Sequence, residues 1–194
     1  MVMRTGRVLA LAALLVLIGT GVYAADCNNG GRYEDMGDGT VQDCRTGLVW
    51  LKNANCNGQL TWNAAMIWVA GLNDTGNPAT RICGLSDGSS AGDWRLPTKT
   101  EWMAMVASAK KQQINNPTLT DAAGSAQCSA GCIFTNVMVD SYWSSTIDAD
   151  SADETWVVDM NYGNVYHFNN KTNDYYVWPV RGGQSGSFGN LIIQ

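Results

Sequence analysis

Histidine is almost missing from this chain: His167 is the single one in 194 residues. A metal site built from three histidines is therefore excluded, and Ser144 or Ser145 of "YWSST" would have to use that one imidazole to become a nucleophile. Positive charge is also short. Twelve Lys and Arg stand against 17 Asp and Glu, a net charge of −5, and no basic run concentrates the cations. Nucleic acid and polyanionic surfaces are thus excluded as default partners. Only four prolines occur, so no stiff Pro-rich linker divides the chain. There is no internal repeat, no collagen-like Gly-X-Y pattern, no phosphate-binding loop and no G-x-G-x-x-G after a strand.

Long apolar runs are absent too, except near the start. Arg4 and Arg7 precede an apolar stretch over Val8–Ile18, and Val22 and Ala24 in "GVYAAD" are the small residues a signal peptidase reads. The run is shorter than the roughly 20 residues a spanning helix needs. We expect a signal peptide over residues 1–24 and an exported chain, periplasmic, cell-surface or extracellular. No transmembrane segment is expected after cleavage. Loss of Arg4 and Arg7 would move the net charge to −7. The remaining chain, about 170 residues, is one domain's worth, expected over 25–184 and followed by a loose Gly/Ser tail at 185–194.

Cysteine, in contrast, is well represented. Cys27, Cys44, Cys56, Cys83, Cys128 and Cys132 all follow the targeting segment, and an even count in an exported chain implies three disulfides. The sequence leaves the connectivity open. Nearest-neighbour pairing is the expectation, because each such pair brackets one loop or hairpin. A metal reading of Cys128-x3-Cys132 competes, but lacks two further ligands.

Hydrophobic periodicity sets the elements. "GRYEDMGDGTVQDCRTGLVWLK" reads as short strands about a turn at Asp38-Gly39. "LTWNAAMIWVAGLND" reads as a helix capped by Thr61, with Trp62, Ala65, Met66, Val69 and Leu72 on one face. "GDWRLPTKTEWMAMV" reads as a second helix. Thr98 and Glu101 have the spacing of a capping box, and Trp102, Met105, Val106 and Ala109 form its apolar stripe. Arg95, at the entry, is placed to reach a buried carboxylate or backbone carbonyls. "SYWSST", "ETWVVDM", "GNVYHF" and "YYVWPVRGG" read as four strands, with Trp156, Val158 and Met160 alternating against Thr155, Val157 and Asp159. Pro179 points to an edge or a bulge in the last of them.

Two helices framed by short, mostly antiparallel strands and stabilised by disulfides make an α+β fold that resembles the C-type-lectin-like type. The blocks "DMGDGTVQDCRTGLVWLKNANC", "TWNAAMIWVAGLN", "GDWRLPTKTEW", "YWSST" and "YYVWPVRGG" resemble the Lcl C-terminal domain family over roughly Arg32 to Gly183. That family is named for the end domain of a collagen-like bacterial adhesin, and most of its members have no assigned function. The namesake binds sulfated glycosaminoglycans and trimerises through collagen repeats; this chain is acidic and has no such repeat. "RLPTKTEW" and "VRGG" are also similar to blocks of formylglycine-generating enzymes. Those oxidases use a reactive cysteine pair for copper, and no cysteine here lies in the C-terminal block where the pair would fall.

Two surface candidates remain. "NYGNVYHFNNKTNDYYVW" interleaves Asn161, Tyr162, Asn164, Tyr166, His167, Asn169, Asn173, Tyr175, Tyr176 and Trp178. Aromatic faces stack on sugars and amides bind hydroxyls, so these are the candidate ligand residues; ordinary strand aromatics with Asn-rich turns are the alternative. By resemblance to the lectin-like fold, this is where a ligand face would lie. The acidic run Asp148, Asp150, Asp153 and Glu154 is the candidate calcium loop, against a plain solvated turn. No other cofactor is expected. The expected role is non-catalytic binding of a glycan or protein ligand. The alternatives are an enzyme of the formylglycine-generating branch and a structural subunit of a surface assembly.

Overall fold

The computed structural model describes Cys27 and residues 30–73, 83–129 and 132–182. The expected targeting segment at 1–24 and tail at 185–194 lie outside these. In chain order the elements are β1 (Tyr33–Asp35), β2 (Thr40–Asp43), β3 (Leu48–Leu51), β4 (Gln59–Leu60), α1 (Trp62–Ala70), α2 (Lys99–Lys111), β5 (Ser141–Ile147), β6 (Glu154–Asp159), β7 (Asn164–Asn170), β8 (Tyr175–Tyr176) and β9 (Val180–Gly182). They form an α+β fold with two sheets, ordered β1-β2-β3-β9 and β4-β8-β5-β6-β7, antiparallel except for the β5–β8 pair.

The first turn is made as its residues require. The Asp38 carboxylate accepts from the Thr40 N–H and hydroxyl. Gly39 takes a φ of +89°, and a Cβ there would stand 2.4 Å from the Gly84 carbonyl oxygen. The turn thus needs glycine both for its conformation and for close approach of the 83–92 segment.

α2 begins with the expected capping box: the Thr98 hydroxyl accepts from the Glu101 N–H, and the Glu101 carboxylate accepts from the Thr98 N–H. Arg95 forms a two-pronged pair with the same carboxylate at 2.6 and 2.7 Å and also donates to the Gly182 carbonyl of β9. α1 differs from its expectation. Thr61 holds the N-cap position, but its side chain makes no capping bond. Tertiary contact substitutes for the cap: the Trp62 N–H donates to the Lys171 carbonyl.

The core is aromatic. Trp50, Trp94, Trp102, Trp143 and Trp178 are all essentially inaccessible. Trp102 lies 5.1 Å from Trp50 and 5.9 Å from Trp178, ring centre to ring centre, and Tyr142 packs on both Trp102 and Trp178. Indole N–H groups fix the elements to one another: Trp102 donates to the Trp143 carbonyl, Trp178 to that of Leu51, and Trp143 to that of Leu60.

The five-stranded sheet is covered on both sides. Tyr142 and Val158 face Trp102, Met105 and Val106 of α2. Trp143 and Val157 face Ala65 and Val69 of α1. Two-sided burial explains why β6 departs from the alternation expected of a half-buried strand: Thr155, Val157, Val158 and Met160 are all buried. "YYVWPVRGG" is likewise not one strand. Tyr175–Tyr176 belong to one sheet and Val180–Gly182 to the other. Pro179, whose nitrogen offers no donor, falls in the crossing between them, where its carbonyl accepts from Leu51.

Three disulfides tie down the loops: Cys27–Cys44, Cys56–Cys83 and Cys128–Cys132, the nearest-neighbour set. All six cysteines are paired, so no thiol is left for a metal.

Candidate functional site

Strand alternation divides the ligand candidates between the two faces of the five-stranded sheet. Directly paired residues share a face. Ser141, Asp159 and Asn164 form one cross-strand row, and Trp143, Val157 and Tyr166 the next; both are on the α1 side. α1 covers the Trp143 end of this face and leaves the β7 margin open, where β7 is the sheet edge. Tyr166 is 39% exposed there, its hydroxyl 3.3 Å from that of Ser141. Tyr175, half-buried, stacks edge-on against Trp143 at 4.6 Å, and its hydroxyl donates to Asn169 at 3.1 Å. Burial raises the Tyr175 pKa above its ordinary value, so the hydroxyl stays a donor at neutral pH. Asn164, Tyr166, Asn169 and Tyr175 thus share one face.

The other candidates are elsewhere. Asn161 and Tyr162 lie in the β6–β7 turn, closed by Gly163. Its φ is +67°, and a Cβ there would stand 2.5 Å from Thr118 Cγ2. Tyr162 is 56% exposed, while the Asn161 carbonyl is bonded by the Asn116 N–H and the Thr118 hydroxyl. Asn173 is in the exposed β7–β8 loop. Tyr176 faces the other way and packs on Tyr142 at 5.6 Å. Trp178 is corrected outright. It is fully buried, bonded to Leu51 and stacked on Trp50 and Phe134, so it is core and presents nothing to a ligand.

His167 belongs to a second constellation that local sequence patterns do not disclose. The β6–β7 register slips between Thr155 and Val157: two residues of β7, His167 and Phe168, oppose the single Trp156. Such a bulge re-aims the side chain it carries. The His167 ring lies over Trp156, centroids 4.9 Å apart, and its Nδ1 is hydrogen-bonded to Asp148. The Lys99 ammonium stands 4.0 Å from the Trp156 ring centre, a cation–π distance. The Asp148 carboxyl is held below its ordinary range, first by the Asp150 N–H and then by His167.

The acidic run itself is a closed hairpin loop. The Asp148 N–H donates to the Glu154 carbonyl, and the Lys171 ammonium to that of Ala152. Asp150 and Asp153 are exposed. Among the described residues the group of three potential metal donors that comes together is Cys27, Glu34 and Cys44, not this loop. Both of those cysteines are consumed in one disulfide, which removes their thiolates as ligands.

A family model described as the Lcl C-terminal domain matches residues 39–181, nearly three quarters of the chain. No curated protein matches it.

Proposed function

The chain belongs to the Lcl C-terminal domain family, and from that premise we propose that it is an exported, non-catalytic binding domain. Its ligand face is the open β7 margin on the α1 side of the five-stranded sheet, with Tyr166 at the centre, Asn164 and Tyr175 beside it, and the buried Ser141 and Asn169 bracing the two tyrosine hydroxyls from beneath. The observation that carries this reading is the exposure of Tyr166 beside a row of hydroxyls and amides on a sheet face that α1 leaves open. A phenol ring lying on such a floor supplies the flat apolar platform for a sugar or a protein side chain, and the flanking groups supply hydrogen bonds. Three disulfides support a place outside the reducing cytoplasm, which is also where the signal peptide expected over residues 1–24 would deliver the chain. No helix of the described residues is long and apolar enough to cross a membrane.

The ligand class we favour is a glycan. The test is a glycan array on the oxidised domain, in calcium and again in chelator. Reproducible hits that disappear in Tyr166→Ala while the denaturation midpoint stays put support the reading. Hits lost on chelation would add calcium, with the Asp148–Glu154 loop first to mutate. A blank array in both conditions overturns the glycan assignment.

A further inference from the structure

α2 has an outward stripe, anchored at its far end where Lys110 lies against the Gly163 turn. Thr100, Met103, Ala107, Lys110 and Lys111 are exposed, and Met103 is 44% accessible, high for a large apolar side chain. Met103, Ala107, Lys110 and Lys111 follow at helical spacing and lie on one side. Among the described residues, Lys171 apart, the cations outside ion pairs are on or against this helix, Lys99 being held over the Trp156 ring. Arg32, Lys52, Arg95 and Arg181 are ion-paired. Lys99, Lys110 and Lys111 are on α2, and Arg45 donates to its Ser108. The helix's own acid, Glu101, is buried and paired with Arg95. In a chain of net charge −5, this is a basic strip around an apolar centre.

The complementary patch lies at the other end of the same helix. The Lys99 N–H, in the first turn of α2, donates to the Thr146 hydroxyl, and this sets the β5–β6 loop beside the helix start. Ile147, at the end of β5, is 45% exposed, and the loop after it carries Asp150 and Asp153, exposed and in no ion pair among the described residues. At the far end, Lys110 reaches Asn164 only at 3.4 Å. Acid at the helix start and base at its end are about 17 Å apart, at 1.5 Å per residue from Lys99 to Lys110.

We infer that two copies of this chain pair through α2, antiparallel about a two-fold axis. Met103 and Ala107 of each copy meet at the centre, and Lys110 and Lys111 of each receive Asp150 and Asp153 of the other. An isologous contact demands this self-complementarity, because every residue pair occurs twice. An apolar centre rimmed by charges of opposite sign is the usual anatomy of such an interface. α2 covers the side of the sheet opposite Tyr166, so the pairing leaves Tyr166 of both copies uncovered.

The test is sedimentation velocity on the oxidised domain over a concentration series, at low and high salt. The expected result is a dimer that weakens with salt. Lys110→Glu/Lys111→Glu should be monomeric alone, and so should Asp150→Lys/Asp153→Lys, with unchanged circular dichroism. An equimolar mixture of the two should dimerise, since each acquires the partner whose charges oppose its own. A monomer at every concentration, a dimer that survives both reversals, or a mixture that stays monomeric overturns the inference.

Discussion

The two faces of the five-stranded sheet are built from the same strands and do opposite things. On the α2 side every aromatic residue of β5, together with Trp178, is locked: rings interdigitate and the indole N–H groups of Trp102 and Trp178 are committed to backbone carbonyls. On the α1 side, Trp143 is similarly buried, but two strands further on Tyr166 lies open, its hydroxyl meeting only that of Ser141 among the described hydrogen bonds. The difference follows from helix length and position. α2 has 13 residues and packs on β5, β6 and β7, whereas α1 has nine and packs on Trp143 of β5 and Val157 of β6. An aromatic residue in this domain is therefore structural or available according to which helix lies over it.

Substitutions on the two sides should separate accordingly. The largest effect is expected for Trp178→Ala, about 3–5 kcal/mol of lost stability in guanidinium unfolding, because a buried ring and its bond to Leu51 go together. Should Trp178→Ala leave stability intact and instead abolish ligand binding, the division of the faces would be wrong.

Next comes Glu101→Gln, about 1.5–3 kcal/mol, since it removes the charge that Arg95 pairs with while the amide oxygen can still close the capping box. Its pH signature has a definite sign. Burial pushes the Glu101 carboxyl up, but Arg95 and the Thr98 N–H outweigh it and hold the folded-state value below the ordinary 4.5. The pair's contribution is thus complete above pH 4.5 and fades as pH falls through the depressed value. Wild-type stability should drop along that acid limb, and the Gln variant should drop less.

His167→Ala should cost less than either, read as a small fall in the thermal midpoint, because it removes one ring from Trp156 and the partner of Asp148 at a half-exposed edge. The smallest stability change is expected for Tyr166→Ala, within about 0.5 kcal/mol. Loss of ligand with no loss of stability would sharpen the contrast between the faces as no other variant can.

Much of the α2 side was legible in the sequence, because its rules are local. Thr98 and Glu101 sit three apart and find each other whatever the rest of the chain does, and Trp102, Met105, Val106 and Ala109 declare a stripe by spacing alone. The disulfides followed the same logic, each closing on its neighbour in sequence. What spacing misses is register. That Trp178 is core depends on a bond to Leu51, 127 residues earlier. That His167 lies over Trp156 depends on a slip of one residue between β6 and β7. Neither is a property of the segment in which the residue stands. Tyr166 and Trp178 are therefore indistinguishable as members of one aromatic, Asn-rich stretch, and the sheet separates them. Thr61 is the converse case, a good capping residue whose role was taken by a distant carbonyl.

The crossing at Pro179 has a consequence for how the chain comes to be folded. Synthesis runs from β1 to β9, yet β9 is the strand that completes the first sheet against β3. Until it arrives, β3 presents a row of unsatisfied amides and carbonyls with Val49 and Trp50 beside them, a template for any other extended chain. Closure at such sequence distance is slow relative to helix formation. The interval between making β3 and delivering Trp178 is thus the aggregation-prone part of the protein's life, and a holding chaperone would act on the β3 edge rather than on the finished domain.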